Sequence, residues 1–146
     1  MAASALDIVT LLGSAQLAVT RAVEAQLAGF HGIGLADFVL LSHLGAAPDG
    51  RATAAELAAA TGRTGSDVAR ALGPLTRGGE VSRDGRTIVL TDAGRQLVTD
   101  ARGTAEHVAR QVLFQPPGGR PLQRADQEVL ADLLTRLGGI ALPKGP

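Results

Sequence analysis

Apolar residues recur at Ile8, Leu12, Ala15, Val19, Val23 and Leu27, the three-and-four spacing of one helix face, and predict a long helix over residues 2–28. The glycines Gly29, Gly32 and Gly34 end it, because helix propensity fails there and left-handed capping geometry is available. A second helix is predicted over residues 35–44, with Leu35, Phe38, Val39 and Leu41 on its buried face, followed by a turn at residues 46–50. Thr53-Ala-Ala-Glu56 has the form of a capping box, so a short helix is expected over residues 54–60, stopped by Gly62. Thr64 or Ser66 opens the next helix, which runs to about residue 78 with Val68, Leu72 and Leu75 inward. Val81 to Arg83 and Arg86 to Leu90 read as short strands joined by Asp84-Gly85, the signal of a two-residue type I′ hairpin. Thr91 caps a long helix over residues 92–114, with Leu97, Ala101, Ala105, Val108 and Val112 on one side. A Pro/Gly linker fills residues 115–121. A last helix over residues 122–137 carries Val129, Leu130, Leu133, Leu134 and Leu137, and Pro143 to Pro146 should fray.

Helix, tight turn, helix and hairpin, in that order between Arg51 and Arg95, make a winged helix-turn-helix, a fold that presents one helix and one hairpin to a duplex. The predicted class is mainly α with a small β-hairpin, in one domain of residues 1–146. Residues 35–91 form the winged-helix DNA-binding lobe, and residues 1–30 and 92–138 supply dimerisation helices. These flanking helices carry more apolar surface than a compact lobe can cover. A second copy interleaved with them would bury it and set two reading helices about one duplex turn apart.

Composition narrows the chemistry. A chain of 146 residues supports a single modest core. With no cysteine, disulfides, thiolate metal sites and thiol redox sensing are excluded. No basic cluster precedes an apolar run at the amino end, and the apolar stretch from Ala5 to Val19 is interrupted by Asp7, Ser14 and Gln16. Neither a signal peptide nor a membrane span is expected, and a cytoplasmic location follows. Phe30, Phe38 and Phe114 are the only aromatics, so the core must be aliphatic. Every basic residue but Lys144 is Arg, a usage that fits either a GC-rich coding bias or phosphate and guanine contact. The chain is formally neutral, yet Arg51 to Arg95 holds seven Arg against five acidic residues. A local basic stripe can bind phosphate on a neutral protein, since screening makes local charge matter more than the total.

Arg63, Arg70 and Arg77 are seven apart and share one stripe if all are helical, with Ser66 and Asp67 beside it. The bland reading is a solvated helix face with Arg63–Asp67 and Asp67–Arg70 ion pairs. Its position after a capped helix and before a hairpin favours a groove-contacting face.

The segments ATAAELAAATG, TGSDVARALGPLTRGGEV, the hairpin DGR and IVLTDAGRQLV together resemble the MarR family of dimeric transcription regulators, and the resemblance extends from about Leu6 to Leu137. It implies a homodimer that binds a pseudopalindromic double-stranded operator, most often as a repressor, and is released by a small aromatic or phenolic effector. By position it carries Thr64, Ser66, Asp67 and Arg70 onto the recognition helix, and Asp84 and Arg86 onto the wing, whose Arg probes the minor groove while the Asp helps hold it. With Arg63, Arg77 and Arg83 these complete the candidate DNA-binding set. Some residues depart from the family pattern. Gly65 and Gly73-Pro74 weaken a helix interior, and Pro74 is expected to kink it. Asp67 stands where a small hydroxyl residue is more usual, and the wing is short.

The resemblance also implies an interhelical cleft, for which Leu12, Gln16 and Val19 on the first helix, Phe38, Ser42 and His43 on the second, and Val98 and Arg102 on the long helix are candidate lining residues. The alternative is that they belong to the dimer core. No dinucleotide, phosphate-loop, zinc-protease or nucleophile-elbow motif occurs, and His31, His43 and His107 are not at metal-ligand spacing. No cofactor, metal or catalytic residue is expected. The competing functional reading is the same dimeric scaffold serving as a small-molecule binder or enzyme with weakened or lost DNA binding, and a protein-interaction winged helix is a third.

Overall fold

A computed structural model describes residues 2–116 and 118–138. The helix α1, Ala5–His31, opens on a capping box: Ser4 Oγ accepts from the Asp7 amide, and the Asp7 carboxylate accepts from the Ser4 amide at 2.9 Å. It runs through Gly29 to a left-handed Gly32, three residues beyond the predicted end. A tertiary tie explains the extension, since His31 Nε2 and Thr104 Oγ1 on the long helix lie 2.8 Å apart. After α1 come α2 (Leu35–Ala46), a 3-10 turn (Pro48–Gly50), β1 (Arg51–Thr53), α3 (Ala54–Thr61) and α4 (Gly65–Gly78). The strands β2 (Val81–Asp84) and β3 (Thr87–Leu90) follow, then α5 (Asp92–Phe114) and α6 (Arg124–Gly138). The expected tail at Pro143 to Pro146 lies outside the described residues, as does Pro117 of the linker.

The sheet has three strands, not the predicted two, in the order β1-β3-β2, all antiparallel. The strand β1 is only Arg-Ala-Thr, too short to show alternation, and it exists through its pairing of Ala52 with Ile88. The hairpin also differs from expectation. Asp84 pairs with Thr87, so the two-residue turn is Gly85-Arg86. Gly85 has φ of 62° while Arg86 is not left-handed, the sign pattern of a type II′ turn. The predicted turn would have set Arg83 opposite Arg86, two like charges across the ladder. The observed register pairs Arg83 with Ile88.

Two apolar clusters hold the chain together. One fills the winged-helix lobe with Leu40, Leu41 and Leu44 of α2, Leu57 of α3, Val68, Leu72 and Leu75 of α4, and Ala52, Val81, Ile88 and Leu90 of the sheet. The other joins Val23 and Leu27 of α1 and Ile33 to Ala101, Ala105 and Val108 of α5. Leu97 packs against both. The predicted inner face of α2 needs correction: Leu40, Leu41, Ser42 and Leu44 are buried, whereas Leu35, Phe38 and Val39 are half-buried. This helix is apolar nearly all round and lies between both clusters, so periodicity picks no face.

Gly94, in the first turn of α5, is fixed by close approach, since a Cβ there would meet the Glu80 carbonyl and the Leu90 side chain. It locks the start of α5 against the end of the α4–β2 connection. Outside the clusters, Leu6, Ile8, Val9, Leu11 and Leu17 of α1 are exposed, and α6 has no buried residue. By length and mean hydropathy, 1.3 over its most apolar window, α1 is long and apolar enough to cross a membrane. Its carboxyl-terminal half is instead docked on α5 through Val23 and Leu27.

Candidate nucleic-acid interface

Two helices and a turn of three residues position the candidate reading surface. In α3 the predicted capping box forms: Thr53 Oγ1 accepts from the Glu56 amide at 3.2 Å and the Glu56 carboxylate accepts from the Thr53 amide at 2.7 Å. Gly62 ends α3 in the left-handed conformation, and the Arg63 amide donates back to Ala58 O at 3.1 Å, so the chain reverses tightly. Thr64 is the N-cap of α4, its Oγ1 accepting from the Asp67 amide at 3.1 Å; of the two candidate caps, Thr64 is the one used.

With Val68, Leu72 and Leu75 buried, helical geometry sends Ser66, Arg70 and Arg77 to the opposite, exposed face. Pro74 does not break α4, whose helical assignment is continuous to Gly78. The lost amide bond leaves the Arg70 carbonyl without its ladder partner. Asp67 forms an ion pair with Arg70. The Thr64 hydroxyl, and after it Arg70, hold the Asp67 carboxyl below the usual carboxylate value, so it stays ionised beside the cationic stripe.

Arg63 departs from that stripe. It precedes the helix, is half-buried, and donates from Nη2 to Asp67 O at 3.3 Å and from Nη1 to Ala36 O at 3.5 Å. The expected Arg63–Asp67 pairing therefore runs to the backbone carbonyl and not to the carboxylate.

In the wing, Arg83 is exposed on β2 and Arg86 occupies the turn. Asp84 accepts from Arg51 at 2.5 Å, across the intervening β3. Arg51 is thus a wing-holding residue that the sequence did not reveal, because its partnership exists only once β1 joins the sheet.

The cleft candidates do not share one described cavity. Leu12, Gln16 and Arg102 are exposed; Val19 and Phe38 pack in the α1–α5 cluster; Val98 packs against the lobe core. Ser42 is buried and its Oγ donates to Phe38 O at 2.8 Å. His43 lines a different hollow of about 470 Å³ with Pro48, Arg51, Glu56 and Leu57, and burial holds its imidazole below the usual value. A second hollow of about 560 Å³ lies between α1 and α5, lined by Ala22, Gln26, His107, Gln111 and Val112. Among the described residues no three of His, Asp and Glu are placed to hold a metal ion.

No family model matches the sequence, and no curated protein matches it. Solved structures do. The MarR family transcriptional regulator Sco3205 of Streptomyces coelicolor, in complex with DNA, superposes with a TM-score of 0.79 at 21% identity, covering 98% of this chain and 96% of that one. The MarR family protein Rv2887 of Mycobacterium tuberculosis is 27% identical, with a TM-score of 0.67 over 92% of this chain and 95% of its own. A MarR family regulator of Rhodococcus sp. RHA1 gives 0.79 at 22% identity over 94% and 96%.

The fold is that of the MarR family. In that MarR fold the winged lobe here is α2 to β3, and α1, α5 and α6 flank it on both sides in sequence. Coverage of nearly the whole chain extends the MarR likeness beyond the lobe to the flanking helices.

Proposed function

We propose that the chain is a homodimeric DNA-binding transcription regulator, a repressor of nearby genes whose operator affinity falls when a small aromatic or phenolic effector binds. The observation that carries the DNA-binding reading is α4 itself. Its amino end is capped, its Val68, Leu72 and Leu75 are anchored in the lobe core, and Ser66, Arg70 and Arg77 face outward, with Arg86 at the turn of the adjoining wing. The comparison structures solved with DNA support it.

In this reading Thr64, Ser66, Asp67, Arg70 and Arg77 meet the major groove and its phosphates, and Arg83, Asp84 and Arg86 the minor groove. Residues 35–91 form the reading lobe, while residues 1–30 and 92–138 form the dimer, which works in the cytoplasm. The exposed apolar faces of α1 and α6 support the dimer, because patches this extended are uncommon on a protein that stays monomeric. An effector acts by binding one separation of the two reading helices better than another.

Fluorescence anisotropy of a labelled duplex across a salt series tests the reading. Arg70→Ala and Arg86→Ala should each weaken binding and lower the slope of log affinity against log salt by about 0.9 per protomer, about 1.8 for the dimer. Unchanged affinity and slope in both variants would remove α4 and the wing from DNA contact. A second reading, a small-molecule-binding scaffold with little DNA affinity, is favoured by the Asp67 carboxylate that occupies Arg70. It predicts no salt-dependent duplex binding by the wild type.

A further inference from the structure

One guanidinium bridges the starts of two helices, α2 and α4. Arg63 sits in the three-residue turn between α3 and α4, and its side chain folds back over the start of α4 toward the start of α2. Its donors reach Asp67 O at 3.3 Å and Ala36 O at 3.5 Å. Both contacts are longer than the usual range of about 2.7–3.2 Å for an N–H···O bond, and the Arg63 charge acts on a nearby carboxyl as well. The neighbouring Asp37 carboxyl is held up by burial, drawn down by Arg63, and pushed up again by Glu24 of α1. The cation thus lies against two carbonyl oxygens, and its charge acts on the half-buried Asp37 carboxyl, whereas Arg70 on the outer face has a side chain that is 78% exposed. A planar fork with fixed N–H directions can address carbonyls on two different helices at once, which an ammonium cannot do with the same geometry.

We infer that Arg63 is a positioning residue that clasps the first turn of α4 to the first turn of α2 and does not contact DNA phosphate. This rests on the DNA-binding reading of α4 for its functional consequence, not for the clasp itself. The core residues of α4 begin only at Val68. Arg63 restrains the helix ahead of that point, where Ser66 and Asp67 would meet the duplex.

The test combines hydrogen exchange on the free protein with duplex titrations of Arg63→Ala, Arg63→Lys and, for comparison, Arg70→Ala. A clasp predicts that both Arg63 variants speed amide exchange over residues 68–72 by at least about threefold, while Arg70→Ala does not. It also predicts that Arg63→Lys loses duplex affinity much as Arg63→Ala does, despite keeping the charge. Unchanged exchange in both Arg63 variants overturns the inference. So does an Arg63→Lys protein that binds like wild type while Arg63→Ala loses about 0.9 of salt slope per protomer, about 1.8 for the dimer, the signature of a phosphate contact. A wild type that binds no duplex would defeat the DNA-binding reading alone, since the exchange measurement still decides whether Arg63 holds α4.

Discussion

Replacing Leu133 with Ala should weaken self-association without unfolding the protomer. Leu133 lies on α6, which has no buried residue, and is itself 50% exposed. Fully burying a Leu side chain contributes about 1.5–3 kcal/mol, so covering the exposed half against a partner contributes about 0.8–1.5 kcal/mol. In an isologous dimer the substitution occurs twice, which brings the loss to about 1.5–3 kcal/mol per dimer. That corresponds to a dimer dissociation constant raised roughly 10- to 150-fold. Sedimentation equilibrium over a range of loading concentrations measures it, with far-UV circular dichroism on the same samples reporting the helices. Leu11→Ala, at an α1 residue that is itself 65% exposed, should act in the same direction. Unchanged dissociation constants in both variants would show that neither face is covered by a partner.

Close packing at Gly94 makes a stability prediction. Gly94→Ala should cost about 1–3 kcal/mol in urea unfolding through overpacking, while Gly103→Ala in the same helix, with open space around it, should gain about 0.5–1 kcal/mol. Burial holds the Asp37 carboxyl above its ordinary value of 3.8, so the folded protein retains a proton that the unfolded chain has lost, and stability falls as pH rises through that window. Asp37→Asn should therefore gain on wild type as pH rises above 3.8 in unfolding curves taken across a pH series, and a gap independent of pH would contradict this. The Arg51–Asp84 pair is largely exposed, at 42% and 70%, so a double-mutant cycle on stability should yield a coupling below about 1 kcal/mol that shrinks with salt.

Elements with a chemical start signal were legible in the chain. Thr53 with Glu56, Thr64 and Thr91 each cap the helix expected of them, and α5 runs over the predicted residues. What depended on pairing between distant segments was not. The strand β1 carries no pattern of its own, and with it went the Arg51–Asp84 bond. The wing turn escaped for a subtler reason. Moving the turn from Asp84-Gly85 to Gly85-Arg86 shifts each pairing by two residues on one strand, which leaves every side chain on the same face. Hydrophobic alternation therefore cannot separate the two registers, and like-charge avoidance between Arg83 and Arg86 favours the observed one. Arg63 was legible as a cation near the reading helix but not as a clasp, since the Ala36 carbonyl it meets is set by the packing of α2. The exposed stripes on α1 and α6 were legible as apolar faces beyond what the lobe can cover, but periodicity reports an apolar face and not what covers it.

The central claim, a dimer that reads DNA, is tested most directly by selecting bound sequences from random duplex DNA at about 0.15 M salt, where nonspecific contacts are weak. Recovery of a pseudopalindrome whose half-sites lie about one helical turn apart, bound by two protomers, is the predicted result. No enrichment from folded, dimeric protein would contradict it.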